Sequence, residues 1–168
     1  MTTAPMPGRS HAGLYGIGFT GSREMPRVHS KLRDLLEEIL YDDDLPGMYE
    51  VTTGGCIGID FFVANWCHRH AVTIHTVFPP DLSKVDPDSS KVCNTSEDIP
   101  CLRPGDVSGY KRRNQRIVDL SNRLIAFPMY REDHAQSRRS GTWQTIRMGR
   151  RAGIMADADI HVLSEMQP

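Results

Sequence analysis

Three times along this chain a short apolar stretch breaks into a turn of small and polar residues and then into a segment of helical period. Leu14 to Phe19 (LYGIGF) runs into Thr20-Gly21-Ser22-Arg23. Met48 to Thr52 runs into Thr53-Gly54-Gly55-Cys56, and Arg123 to Met129 (RLIAFPM) leads through a polar loop into Ser137 to Thr142. Strands that alternate with helices specify a mostly parallel α/β sheet with helices on both faces, since parallel neighbours need a crossover between them. Such sheets take their ligands at the carboxyl ends of the strands. Each of the three turns follows a strand, so all three are expected at one edge of the sheet.

The intervening segments fit this plan. Val28, Leu32, Leu35, Leu36, Ile39 and Leu40 recur at helical spacing, with Pro26 suited to the first turn. A second helix is expected over Gly58 to Ala71, with Ile59, Phe62, Val63 and Trp66 on one face, and a third strand over Val72 to Phe78, stopped by Pro79-Pro80. Tyr110 to Asn122 and Thr142 to Ala152 read as further helices, the latter with Gly153 as its C-cap. A last strand is best fitted by Asp159 to Leu163. Residues 81–109 show no periodicity and read as a long loop or insertion, functional or hiding a short strand. Residues 1–13 read as a disordered lead and 14–168 as a single domain.

The turn chemistry suggests an anion. In Thr52 to Asp60 (TTGGCIGID) a strand, a glycine turn and a helix N-terminus follow one another. The first N–H groups of a helix lack internal partners, and its dipole favours negative charge there. Gly54 and Gly55 remove side chains that would keep a ligand off the backbone. Arginines supply bidentate pairing for phosphate. The candidate phosphate-binding residues are Gly21, Ser22, Arg23, Gly54, Gly55, Cys56, Asp60, Arg113, Asn114, Ser140, Gly141 and Thr142, with Arg138 and Arg139 beside them. Lys111, Arg112, Arg116, Arg147, Arg150 and Arg151 are expected on solvated helix faces.

Charge is unevenly distributed. The net charge is −1, yet residues 101–151 carry 12 Lys and Arg against 4 Asp and Glu. A local positive field of that size suits an anionic partner, while a dedicated nucleic-acid binder is more often basic throughout. The four cysteines include no Cys-x-x-Cys pair, and Cys67, His68 and His70 project to different sides of a helix, so no metal site is expected. No cofactor is expected either. No apolar run approaches the ~20 residues of a membrane span, and the first residues lack a signal-peptide core, which points to a cytoplasmic protein.

Four motifs in order, GFTGSR, TGGCIGID, KRRNQRIVDLS and RRSGTWQTIRMGRRAG, resemble the succession in SLOG-type Rossmann-like proteins. These include the DNA-processing protein DprA and the Lonely Guy phosphoribohydrolases. The resemblance spans about residues 14–153 and rests on Gly21-Ser22-Arg23, Gly58-Ile59-Asp60, Arg113-Asn114 and Ser140-Gly141-Thr142. It implies a Rossmann-like three-layer αβα fold and a nucleotide or phosphate pocket at the strand ends. Three functions follow from it: binding or sensing of a nucleotide-derived ligand, cleavage of the N-glycosidic bond of nucleoside monophosphates, or binding of single-stranded DNA. The hydrolase reading implies Arg113 as the catalytic arginine, with Asp60 and Glu24 as the remaining acids near the site and Asp60 as a candidate catalytic residue. Where those enzymes place a glutamate this chain has Thr145, with Gln144 beside it. For the DNA reading Tyr110, Tyr130 and Trp143 flank the basic segments as possible stacking platforms. Relatives of this kind are often homodimers, and Phe61, Phe62 and Trp66 offer a face for a partner.

Overall fold

The computed structural model describes residues 10–45, 47–106 and 108–166. Five strands form one sheet: β1 (Tyr15–Gly21), β2 (Tyr49–Thr53), β3 (Ile74–Phe78), β4 (Thr95–Asp98) and β5 (Arg123–Phe127). Their order is β4-β3-β2-β1-β5, and every pairing is parallel. The helices are α1 (His29–Leu40), α2 (Ile59–Arg69), α3 (Ser89–Val92), α4 (Gly109–Asp119), α5 (Gly141–Arg151) and α6 (Leu163–Met166).

Strand residues alternate between the two faces, and two kinds of apolar cluster result. Ile17, Phe19, Ile125 and Phe127 pack with Leu32, Leu36, Ile59 and Val63, which puts α1 and α2 on one face. Leu124 and Val77 pack with Ile117, Val118 and Met148, and Ala126 with Trp143 and Ile146, which puts α4 and α5 on the other. The result is the Rossmann-like three-layer αβα arrangement that the alternation of elements specifies.

The path through these layers fixes where a site can form. From β1 the chain advances strand by strand to β4 in one direction. It then returns over the opposite face through α4 and lays β5 on the other side of β1. Strand order therefore reverses between β1 and β5, and that switch point is where open α/β sheets leave a crevice beyond their carboxyl ends.

Two expectations about the elements need correction or completion. Residues 81–109 do hide a strand. β4 (TSED) is short, polar and mostly exposed, as suits an edge, and its lack of apolar alternation made it illegible. Asp159 to Leu163 is not a strand. A 3-10 turn occupies Asp157–Asp159, a single bridge joins Ile160 to Ala126, and α6 starts at Leu163. The bidentate Arg123–Asp159 pair (2.9 and 2.7 Å) holds that turn against β5. The N–H groups of His161 and Leu163 then donate to Ala126 and Pro128, covering the edge without extending the sheet. Residues 1–9 of the expected lead lie outside the described residues. Within 10–13, Ser10 is buried, the Ala12 N–H donates to Glu50 (3.2 Å), and the His11 ring stacks on His75.

Candidate functional site

The turn between β2 and α2 is built for close internal contact. Gly58, the residue before α2, has φ +84° and ψ −131°. There the Ile59 N–H donates to the Ser22 carbonyl (3.0 Å), tying the β1 turn to the start of α2. The Cys56 N–H donates to the buried Asp60 carboxylate (3.3 Å), and the Ile57 N–H to the Lys84 carbonyl. The Cys56, Ile57 and Ile59 donors are thus used within the chain, while the N–H groups of Gly54, Gly55 and Gly58 have no acceptor among the described residues. Gly54 and Gly55 stand behind the site rather than on its wall. A methyl group on Gly54 would overlap the Arg113 guanidinium, so its bareness makes room for that side chain. A Cβ on Gly55 would press on Phe78 and Thr76.

Arg113 projects from α4 and meets Asp60 at 3.2 Å, both side chains being almost fully buried. Burial pushes the Asp60 carboxyl above its ordinary range, against the pull of Arg113 and the Cys56 N–H. Burial likewise raises the Cys56 thiol. The Arg113 Nε is buried without a hydrogen-bond partner among the described residues, so this guanidinium retains donor capacity. Arg113 and Arg23 both lie near the Tyr110 ring, at 5.7 and 5.1 Å from its centroid.

The other wall is the start of α5. Ser140 caps this helix, its Oγ accepting the Trp143 N–H (3.3 Å), while its carbonyl accepts the Gln144 N–H. The N–H groups of Gly141 and Thr142 have no acceptor among the described residues, so two oriented donors and the positive end of the helix dipole remain for a ligand. Asn114 ties α4 to α5 by donating to Gln144 (3.3 Å). Ser140→Ala is expected to cost about 1 kcal/mol through loss of the cap, read as a lower denaturation midpoint with an unchanged slope.

These walls enclose a cavity of about 320 Å³ at the β1/β5 switch point, at the lower end of the range of small-ligand sites. Of the expected residues it brings together Gly21, Ser22, Arg23, Cys56, Asp60, Arg113, Asn114, Ser140, Gly141 and Thr142, along with Arg139. Thr20 of the first turn and Glu24 just after it also line the cavity, as does Met129, which the sequence offered only as the end of a strand.

The basic third is neutralised to a degree that its composition hides. Arg112 pairs with Asp106, Arg116 with Glu97 (2.9 Å), Arg147 with Glu132 (3.8 Å), and Arg150 with Glu132 and Asp157. These four are ion-paired, not merely solvated as expected. Arg23 and Arg139, which line the cavity, form no ion pair among the described residues, nor do Arg103, Lys111, Arg138 and Arg151 outside its lining. Trp143 is buried, with its indole N–H donating to the Tyr130 carbonyl (2.9 Å) and Arg150 beside its ring, so it is unable to stack a base. Tyr130 stacks on His134. Trp66 is buried against His70, and Phe61 and Phe62 pack half-buried on the core. No described helix is long and apolar enough to cross a membrane.

Comparison with known protein families gives no match, nor does comparison with curated proteins. Among solved structures the fold is shared with DNA-processing protein A from Helicobacter pylori, a protein that binds single-stranded DNA. The TM-score is 0.57 at 15% identity over 84% of this chain and 63% of that one. It is shared also with DNA-processing protein A (DprA) from Streptococcus pneumoniae, with a TM-score of 0.58 at 18% identity over 83% of this chain and 48% of that one. This chain thus spans less than two thirds of either protein's length, and at these identities the likeness is one of fold.

Proposed function

We propose that this chain is a SLOG-type module that binds a nucleoside phosphate, seating the phosphate on the start of α5. The observation that carries this reading is the pair of unpartnered N–H groups at Gly141 and Thr142. Both residues line the switch-point cavity, where Arg139 and Arg23 have no ion-pair partner among the described residues. A dianionic phosphate there would gain backbone donors, the helix dipole and two guanidinium groups.

The same wall argues for binding rather than hydrolysis. Cleaving an N-glycosidic bond builds positive charge on the sugar, which a carboxylate would stabilise. Thr145 is fully buried, its hydroxyl donating to the Gly141 carbonyl (2.9 Å), and Gln144 is engaged with Asn114. Asp60 is committed to Arg113, which leaves Glu24, an exposed residue of the β1 turn, as the remaining acid on the cavity lining.

Calorimetric titration with nucleoside monophosphates tests the proposal. Arg139→Ala and Arg23→Ala are each expected to weaken binding about tenfold, which is about 1.4 kcal/mol and the size of one charge-assisted contact. Arg116→Ala and Arg147→Ala, whose partners lie elsewhere, should leave affinity within about twofold of the parent. Chromatographic detection of free base after incubation would reverse the choice between binder and hydrolase.

The fold shared with the DNA-binding Helicobacter pylori protein supports a second reading, in which the phosphate belongs to single-stranded DNA. Binding to a labelled oligonucleotide would then fall steeply with salt, with a slope of about −0.7 for each phosphate neutralised.

A further inference from the structure

Near the starts of β2 and β3, away from the strand-end cavity, the sheet buries a polar layer beneath α4. His75 of β3 is fully buried, and both of its ring nitrogens are hydrogen-bonded to β4, Nδ1 to the Thr95 hydroxyl (2.8 Å) and Nε2 to Glu97 (3.0 Å). Arg116 of α4 donates to the same Glu97 oxygen (2.9 Å). Burial raises the Glu97 carboxyl, yet the hydrogen bonds from His75 and Arg116 carry it below its ordinary range, so it stays ionised while an imidazole gains a proton. Glu50 of β2 is buried as well, and the one donor its carboxylate meets among the described residues is the Ala12 N–H (3.2 Å). Residues 10–13 close this layer. They form a turn in which the Gly13 N–H donates to the Ser10 carbonyl (2.9 Å) and the Leu14 N–H to the Ser10 hydroxyl (3.0 Å). The turn lays the ring of the exposed His11 on His75, with centroids 4.3 Å apart and planes within 3° of parallel.

An imidazole changes its charge near neutral pH. A proton on His75 is well accommodated, since both ring nitrogens then donate, to Thr95 and to the ionised Glu97. A further proton on His11 places two cations face to face, at a separation where like charges repel strongly. Arg116 adds positive charge on the same side and is already engaged with Glu97, which leaves Glu50, held through Ala12, as the other acid facing the turn. We infer that residues 10–13 are a pH-operated latch. They lie on the sheet while the His11–His75 stack carries at most one proton, and they leave it when acid charges both rings. Release uncovers Glu50 and His75 while β1 stays in place, because β1 is paired with both β2 and β5. The latch stands apart from the proposed nucleotide site, since none of the residues lining that cavity belongs to it.

Amide exchange read residue by residue on the full chain, as protection relative to the unstructured rate at each pH, tests this. Between about pH 7.5 and about pH 5.5 the Ala12 amide of the parent should lose about tenfold or more of its protection, while those of Ile17 and Phe19 in β1 keep theirs. His11→Phe keeps a ring on His75 that takes up no proton, and should hold the Ala12 amide equally at both pH values. Glu50→Gln keeps an acceptor for that amide without a titration of its own, and should lose protection in acid as the parent does. Unchanged denaturation midpoints at neutral pH check that both variants fold. Constant Ala12 protection in the parent, an equal acid loss in His11→Phe, or no Ala12 protection in His11→Phe at neutral pH overturns the latch. A loss shared by Ile17 and Phe19 is general loosening and overturns it too. An acid loss abolished by Glu50→Gln moves the titration to Glu50 and overturns the assignment to the stacked rings.

Discussion

Gly58→Ala is expected to lower the stability of this protein by about 3 kcal/mol or more, since both of the ways a glycine can be required operate there. The backbone at φ +84° and ψ −131° is one that L side chains rarely adopt. A Cβ would also lie 2.5 Å from the carbonyl oxygens of Ser22 and Arg23, and backbone does not yield as the tip of a flexible side chain does. Relief would require parting the β1 turn from α2 and breaking the Ile59-to-Ser22 hydrogen bond. That turn carries Ser22 and Arg23, so ligand affinity should fall as well. In a chain of this size the loss corresponds to a melting temperature lower by roughly 6–12 °C, measurable by circular dichroism. Gly141→Ala serves as the contrast. Its Cβ would meet only Asn114 Nδ2 at 3.9 Å, an ordinary contact, and the denaturation midpoint should be nearly unchanged.

Arg113→Met should cost about 3 kcal/mol by a different route, leaving Asp60 buried without its cation. The double variant Arg113→Met/Asp60→Asn should recover much of that loss, since both charges then leave the interior together, and a double-mutant cycle in urea quantifies the coupling. The single variant also carries a pH signature. Burial already holds the Asp60 carboxyl above its ordinary range, and Arg113 is the main influence pulling it down. Without the arginine the folded-state pKa rises further above the unfolded one. The folded state then binds the proton more tightly, so the variant is most stable in acid and loses stability as pH climbs through the folded pKa. A stability that is flat or rising with pH in Arg113→Met would show that Asp60 is not the group left exposed to the loss.

The elements of this fold were legible where their residues obey one period. The helix at His29–Leu40 follows from its leucine spacing, and the strands at Tyr15–Gly21 and Arg123–Phe127 from apolar runs flanked by turns. The convergence of the three turns was legible too, since it follows from parallel connectivity alone. Partnership was not. Sequence offers no means of seeing that Gly54 makes room for Arg113, that Cys56 and Ile59 donate inward, or that Glu97 and Glu132 neutralise arginines on other elements. Those are tertiary pairings between residues of ordinary composition, with no local signature. Nor does sequence show which turn donors are used internally, as at Cys56, Ile57 and Ile59, and which stay without an acceptor among the described residues, as at Gly141 and Thr142.

The return of the chain across the sheet has a consequence for how the protein assembles. Gly21 lies in register with Phe127 and the Ser22 N–H donates to the Phe127 carbonyl, so β1 must wait for a strand supplied more than half the chain later. The strands β1 to β4 pair with sequential neighbours at modest loop-closure cost, while joining β5 to β1 closes the longest loop in the sheet. The switch-point cavity has one wall from each side of that seam, so it exists only once the seam is shut. A ligand that spans it stabilises the closed seam by mass action. Amide protons of β5 and the first turn of α5 should therefore gain the most protection from exchange when ligand is added, and those of β3 and β4 the least.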